Sequence, residues 1–187
     1  MYRASLAAVT ALMLSGCLDP VGVDSTGVGF ADMSVATDTV PFGQLARNCT
    51  VSKSELGKRI GGASGYDVYD TAPDTTRPRT HFLTGFRDGC ARQFTGALVV
   101  FGDIGTHELV RYAEVGLDQP YTPTDDAYEA IKTTSCGVRR GSPCGRAINR
   151  LARNTSFVTI YESFADDARW LDVLLHKGEV AAQDINP

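Results

Sequence analysis

Five cysteines, at positions 17, 49, 90, 136 and 144, constrain this chain more than any other feature. Cys49, Cys90, Cys136 and Cys144 are spread through the body of the sequence, while Cys17 stands apart near the start. None belongs to a C-x-x-C pair and no histidine sits beside any of them, which speaks against a structural metal site. Read instead as a covalent framework, they require an oxidising compartment, and an odd number leaves one thiol over.

The surplus cysteine has a local explanation. Arg3 precedes an apolar run from Ala4 to Leu14, broken only by Ser5 and Thr10, and small residues close it. A basic start, a short apolar core and a small-residue exit are the parts of a secretory signal peptide; a spanning helix needs about 20 apolar residues. The ending Leu14-Ser15-Gly16-Cys17 resembles the lipobox of bacterial lipoprotein precursors. The resemblance covers residues 1–17 alone, and no characterised family is recognised for the globular part. It implies that the Cys17 thiol receives a diacylglyceryl group and that the signal, 1–16, is then cut away. Stable anchoring takes more than one acyl chain, so palmitate-type acylation is expected as well. In enteric bacteria an Asp directly after the lipidated cysteine retains the protein in the inner membrane. Here Leu18 follows and Asp19 comes one place later, so the resemblance implies a periplasm-facing anchor in the outer rather than the inner membrane.

With Cys17 consumed by lipid, the other four form an even set with three possible pairings. The shortest-loop choice joins Cys136 to Cys144 and Cys49 to Cys90. On the chain-entropy argument these closures stabilise by about 2.6 and about 4 kcal/mol respectively.

Residues 18–41 carry Asp19, Asp24, Asp32 and Asp38 but no Lys or Arg, and are otherwise mostly small or glycine. That composition predicts a flexible acidic tether over 17–41 with an r.m.s. reach of roughly 25–30 Å. The alternative is that part of it, around Val28 to Val35, adds an edge strand. The remaining 42–187 is long enough for one disulfide-stabilised domain with a real core and too short for two ordinary ones. The formal net charge of −4 becomes −5 once Arg3 leaves with the signal, which argues against nucleic acid as a partner.

Ser52-Lys53-Ser54-Glu55 fits a capping box for a short helix, Leu56 to Ile60, ended by Gly61-Gly62. Tyr66–Asp70 and Arg79–Thr84 alternate as strands around a Pro-containing loop, and Phe94–Phe101 reads as a central strand covered on both faces. Helices are expected from Thr106 through Tyr112, from Thr124 through Lys132, and after Ser142-Pro143. Thr155–Glu162, Arg169–Leu175 and Glu179–Gln183 follow as strands, the last two joined across Lys177-Gly178 with Leu175 opposite Val180 and Val173 opposite Ala182. The sum is an α+β domain: a mostly antiparallel sheet of about six strands with two or three helices packed on one side.

Catalytic and cofactor motifs are sparse. His107-Glu108 begins like a zinc-protease helix, but Arg111 stands where the second imidazole is required. Gly62-Ala63-Ser64-Gly65 lacks the final glycine of a nucleophile elbow. His81, near Asp70 and Asp74, is the best acid/base option, and His176 falls at a hairpin tip. No metal or cofactor is expected. Arg139, Arg140, Arg146, Arg150 and Arg153 form a sharper feature. Arg146, Arg150 and Arg153 share one helical face, and the group suits a phosphate- or carboxylate-bearing ligand or envelope protein. The competing reading is a solvated face paired with Asp125, Asp126, Asp166 and Asp167. Trp170, on the solvent side of its strand, is a second contact candidate. The functional expectation is therefore a lipid-anchored, non-catalytic binding, structural or inhibitory module. The alternative is a periplasmic hydrolase with an acid/base site at His81 or His107.

Overall fold

The computed structural model describes residues 31–33 and 39–186. The signal, Cys17 and most of the tether lie outside them. In chain order the strands are β1 (Ala31–Met33), β2 (Ala46–Asn48), β3 (Lys58–Ala63), β4 (Tyr66–Asp70), β5 (Arg79–Thr84), β6 (Ala91–Gly96) and β7 (Leu98–Gly102). Helices α1 (Ile104–Arg111), α2 (Glu114–Leu117), α3 (Pro123–Cys136) and α4 (Ile148–Ala152) come next, then β8 (Thr155–Tyr161), β9 (Trp170–His176) and β10 (Glu179–Asn186). The fold is α+β, and its strands are antiparallel except that β1 runs parallel to β2. Within the expected tether, then, Ala31–Met33 adds an edge strand.

The strands form two sheets rather than one. The first has the order β1-β2-β6-β5-β4-β3 and the second β10-β9-β8-β7. The segment expected to be one central strand, Phe94–Phe101, is the place where the chain passes between them. A Cβ on Gly96 would stand 2.6 Å from Ile160 Cγ2, so only glycine allows the sheets to approach there. Ala97 donates its N–H to Tyr161 O at 2.8 Å and β7 continues as the edge of the second sheet. Leu98 and Val100 are exposed, because an edge strand at this corner has no cover on its outer face. An apolar run cannot distinguish that arrangement from a central strand.

Two other expectations fail locally. Glu55 does accept from Ser52 N at 2.7 Å, as a capping box requires, but only a turn forms. Gly57 at φ +87° packs against Asp70 O, ends the turn and starts β3 where a helix was expected. The third helix begins later than Ser142-Pro143, with a 3-10 turn at Gly145–Ala147 leading into α4. Caps shift by two or three residues as well. Asp103 caps α1 by accepting from Thr106 N, and Thr122 with Asp125 forms a full capping box on α3.

Both two-residue hairpins, Ser64-Gly65 and Lys177-Gly178, place both central residues at positive φ. At the second, Val180 opposes Leu175 as expected, but a bulge then puts Ala182 opposite Leu174 and Gln183 opposite Val173. The bulge moves Ala182 to the other face. Val158, Ile160, Leu171, Val173, Leu175 and Val180 pack against Leu45, Tyr66, Val68, Leu83, Phe86 and Phe94 of the first sheet and its loops. Phe157, Leu174 and Ala182, on the opposite face, pack under Ile104, Tyr128 and Leu151 of the helices. The architecture is thus three layers: sheet, sheet, helices.

Candidate functional site

Disulfides close both ends of the framework. Cys49 is bonded to Cys90, immediately beyond the last β2–β6 pair, Asn48 with Ala91. Cys136 is bonded to Cys144 at the end of α3. These are the shortest-loop pairings. The second loop is also held from beneath by two buried carboxylates. Glu108 accepts from Cys144 N at 3.0 Å and from Tyr128 Oη at 2.9 Å; Glu129 accepts from Gly141 N at 3.1 Å and from Tyr112 Oη at 2.6 Å. Lys132, fully buried, places Nζ 2.6 Å from Glu129 Oε2 and against Tyr112 Oη.

The helices cover only part of the second sheet's outer face. Phe157 and Leu174 lie beneath them, but in register further along come Thr159 opposite Asp172 and Tyr161 opposite Trp170. That uncovered half is the floor of a cleft of about 610 Å³. One wall is α1, through Thr106, His107 and Val110; the other is the start of α3, through Thr122, Thr124 and Asp125. Asp103 stands at the corner. The floor is ordered by hydrogen bonds. Asp172 accepts from Thr159 Oγ1 at 2.7 Å, Trp170 Nε1 at 3.0 Å and Asn186 Nδ2 at 3.1 Å.

His107 is the one imidazole in this cleft. It is stacked on Phe157 at 4.3 Å and edge-on to Tyr128 at 4.7 Å. Its Nε2 lies 3.6 Å from Asp125 Oδ1, withdrawn from solvent and without a hydrogen bond. Burial holds His107 below the usual imidazole pKa despite Asp125 and Glu108, so the ring is neutral at pH 7. Asp125 also accepts from Thr122 N and approaches Arg111 Nε at 3.6 Å. The pair can hold or pass a proton, but among the described residues no hydroxyl is hydrogen-bonded to Nε2 of the ring.

His81 is placed differently. Its Nε2 is 3.4 Å from Asp70 Oδ2, the expected partner, while Asp74 is exposed in the loop. Arg79 takes the same carboxylate through Nε and Nη2, and His81 and Asp70 are both sealed in the core beside Phe94. A substrate cannot reach that cluster, in which Asp70 is held by Arg79 while His81 Nε2 stays buried without a hydrogen bond. Ser64 occupies a hairpin turn and donates to Ala152 O and Thr155 O. His176 bonds Thr155 Oγ1 at 2.8 Å.

Comparison with protein-family models, curated proteins and solved structures finds no match.

The five arginines are all exposed. Arg140 meets Asp126 at 2.5 Å and lies over the Tyr121 ring. Among the described residues Arg139, Arg146, Arg150 and Arg153 have no ion-pair partner, and Asp125 is turned inward to His107 and Arg111. The face is thus solvated along its whole length, and the expected acidic pairing forms for one of the five. The cleft was not legible beforehand. Trp170 is readable as a contact residue, but only strand register and the positions of two helix starts bring Asp172, Asp103 and Asp125 into one cleft with it. No sequence periodicity reports that.

Proposed function

We propose that this chain is a lipid-anchored protein of the bacterial cell envelope that works by binding, with the cleft between α1, α3 and the second sheet as its ligand site. The anchor rests on the lipobox resemblance; no helix among the described residues is long and apolar enough to cross a membrane. The observation that supports binding is the half-covered sheet face. A folded sheet ordinarily buries its aromatic face, yet Trp170 and Tyr161 stay half-buried under an open concavity of the size of small-molecule sites. Three hydrogen bonds hold Asp172, so the floor is organised before any ligand arrives.

A periplasmic hydrolase is the second reading, and the His107–Asp125 pair in the same cleft is the observation that favours it. Lack of a hydroxyl bonded to His107 puts it second. The two separate in one experiment, in which full-length protein in detergent is screened for ligand-induced thermal shift and for hydrolysis of ester, amide and glycoside panels. Saturable stabilisation without turnover supports binding. Turnover that disappears in His107→Gln would establish the hydrolase instead.

A further inference from the structure

Among the described residues, the cleft's lining holds Asp103, Asp125 and Asp172 but no Lys or Arg. Of these, Asp125 has a cation, Arg111, approaching it, while Asp103 and Asp172 are bonded by neutral donors alone. Asp184 faces Asp172 across the β9–β10 pair and, like it, has no ion-pair partner among the described residues. Burial first, then Asp172 and Asp125, push the Asp184 carboxyl above its ordinary value. His107 contributes no positive charge when neutral. The floor adds two half-buried aromatic rings, Tyr161 and Trp170, with centroids 6.5 Å apart.

Two carboxylates without an ion-pair partner among the described residues, Asp103 and Asp172, beside half-buried aromatic rings in a concavity of small-molecule size, are the chemistry that receives an organic cation. A metal ion fits less well, since no three His, Cys, Asp or Glu side chains among the described residues are grouped to chelate one. We infer that the cleft binds a small organic cation, an ammonium or guanidinium compound, with the charged head toward Asp172 and Asp103 and its carbon skeleton on Trp170. This rests on the binding reading above and names the ligand class for the same site.

Trp170 is the chain's only tryptophan, so its emission reports on this cleft alone. Full-length protein in detergent is titrated with butylammonium, butylguanidinium and tetramethylammonium chlorides, against sodium chloride at equal ionic strength and against methyl glucoside. The expected result is a saturable change in Trp170 emission with at least one organic cation and with neither control. Asp172→Asn, which keeps an acceptor for Trp170 Nε1, should weaken it about tenfold, and Asp103→Asn, which preserves the helix cap, should weaken it as well. If methyl glucoside binds as well as the cations, or both Asn variants bind the cation unchanged at Trp170, the cation inference falls while the cleft stands as a site. Calorimetric binding of a cation that leaves Trp170 emission unmoved would overturn both. No saturable response to any of the three cations overturns the inference.

Discussion

Asp184 shows how one residue registers the charges around it. Its pKa is raised by burial first and then by Asp172 and Asp125. A carboxyl whose folded pKa lies above its unfolded value favours the folded state below the unfolded pKa and loses that contribution as pH rises through the folded one. Asp184→Asn should therefore raise the melting temperature at pH 7, by roughly a degree because the site is partly solvated, and the gain should vanish below about pH 4. Thermal melts at pH 7 and pH 3.5 check it. Lys132 shows the opposite economy. Fully buried against Glu129 and Tyr112, it neutralises a carboxylate that also holds the Cys136–Cys144 loop. Lys132→Met strands Glu129 without its cation and should destabilise by about 3–5 kcal/mol in urea unfolding, whereas Lys132→Met with Glu129→Leu should recover part of that. The cysteine pairings are readable at this scale because parity and loop length are local. Buried Glu108, Glu129 and Lys132 are not, since each is polar in sequence and becomes interior only where Tyr112, Tyr128 and the Cys136–Cys144 loop close over them.

At the scale of elements, the two disulfides differ in what else supports them. Cys136–Cys144 closes eight positions over backbone already held by Glu108 and Glu129, while Cys49–Cys90 spans 41 and pins β2 to β6. Replacing both cysteines of the first pair by serine should cost about 2.6 kcal/mol or less, and of the second about 4 kcal/mol, as measured by urea unfolding of each variant. Equal losses would count against this ordering. The segment from Arg139 to Arg153 makes a second prediction. Arg146, Arg150 and Arg153 project from the turn-plus-helix after the bridge without ion-pair partners among the described residues. Replacing all three by Gln should leave the melting temperature within about 2 °C, because unpaired surface charges add little to stability. If the face engages an anionic partner, the triple variant should also bind anionic vesicles or heparin-type resin more weakly, with a shallower salt dependence. Unchanged retention at low salt would mean a merely solvated face. Tyr66–Asp70 and Arg79–Thr84 were found with their observed bounds because half-buried strands alternate. The expected helix at Leu56–Ile60 failed because a capping hydrogen bond stabilises a turn as readily as a helix, and only the close approach of Gly57 to Asp70 decides between them.

For the whole molecule, placement in the cell is proposed from 17 residues and architecture is read from the rest. Cys17→Ser should leave the protein uncut or release it from the membrane fraction, and intact-mass measurement should show acyl chains on the wild-type Cys17. A free Cys17 thiol in membrane-purified protein would defeat the anchor. By itself the sequence determined the α+β class, most strands of the hairpins, the helical centre of the chain and a cysteine set whose shortest closures are the ones that form. All of these depend on neighbours within a few tens of residues, or on parity. Tertiary structure alone decided that the strands divide into two sheets at Gly96-Ala97, that a bulge turns Ala182 toward the helices, and that His107, Asp125, Trp170 and Asp172 share one cleft. Those outcomes hang on where a sheet ends and how far helices cover it, and both are set by packing between segments distant in the chain, such as Tyr66 against Gly178 and Glu179, which leaves no periodic mark in either segment.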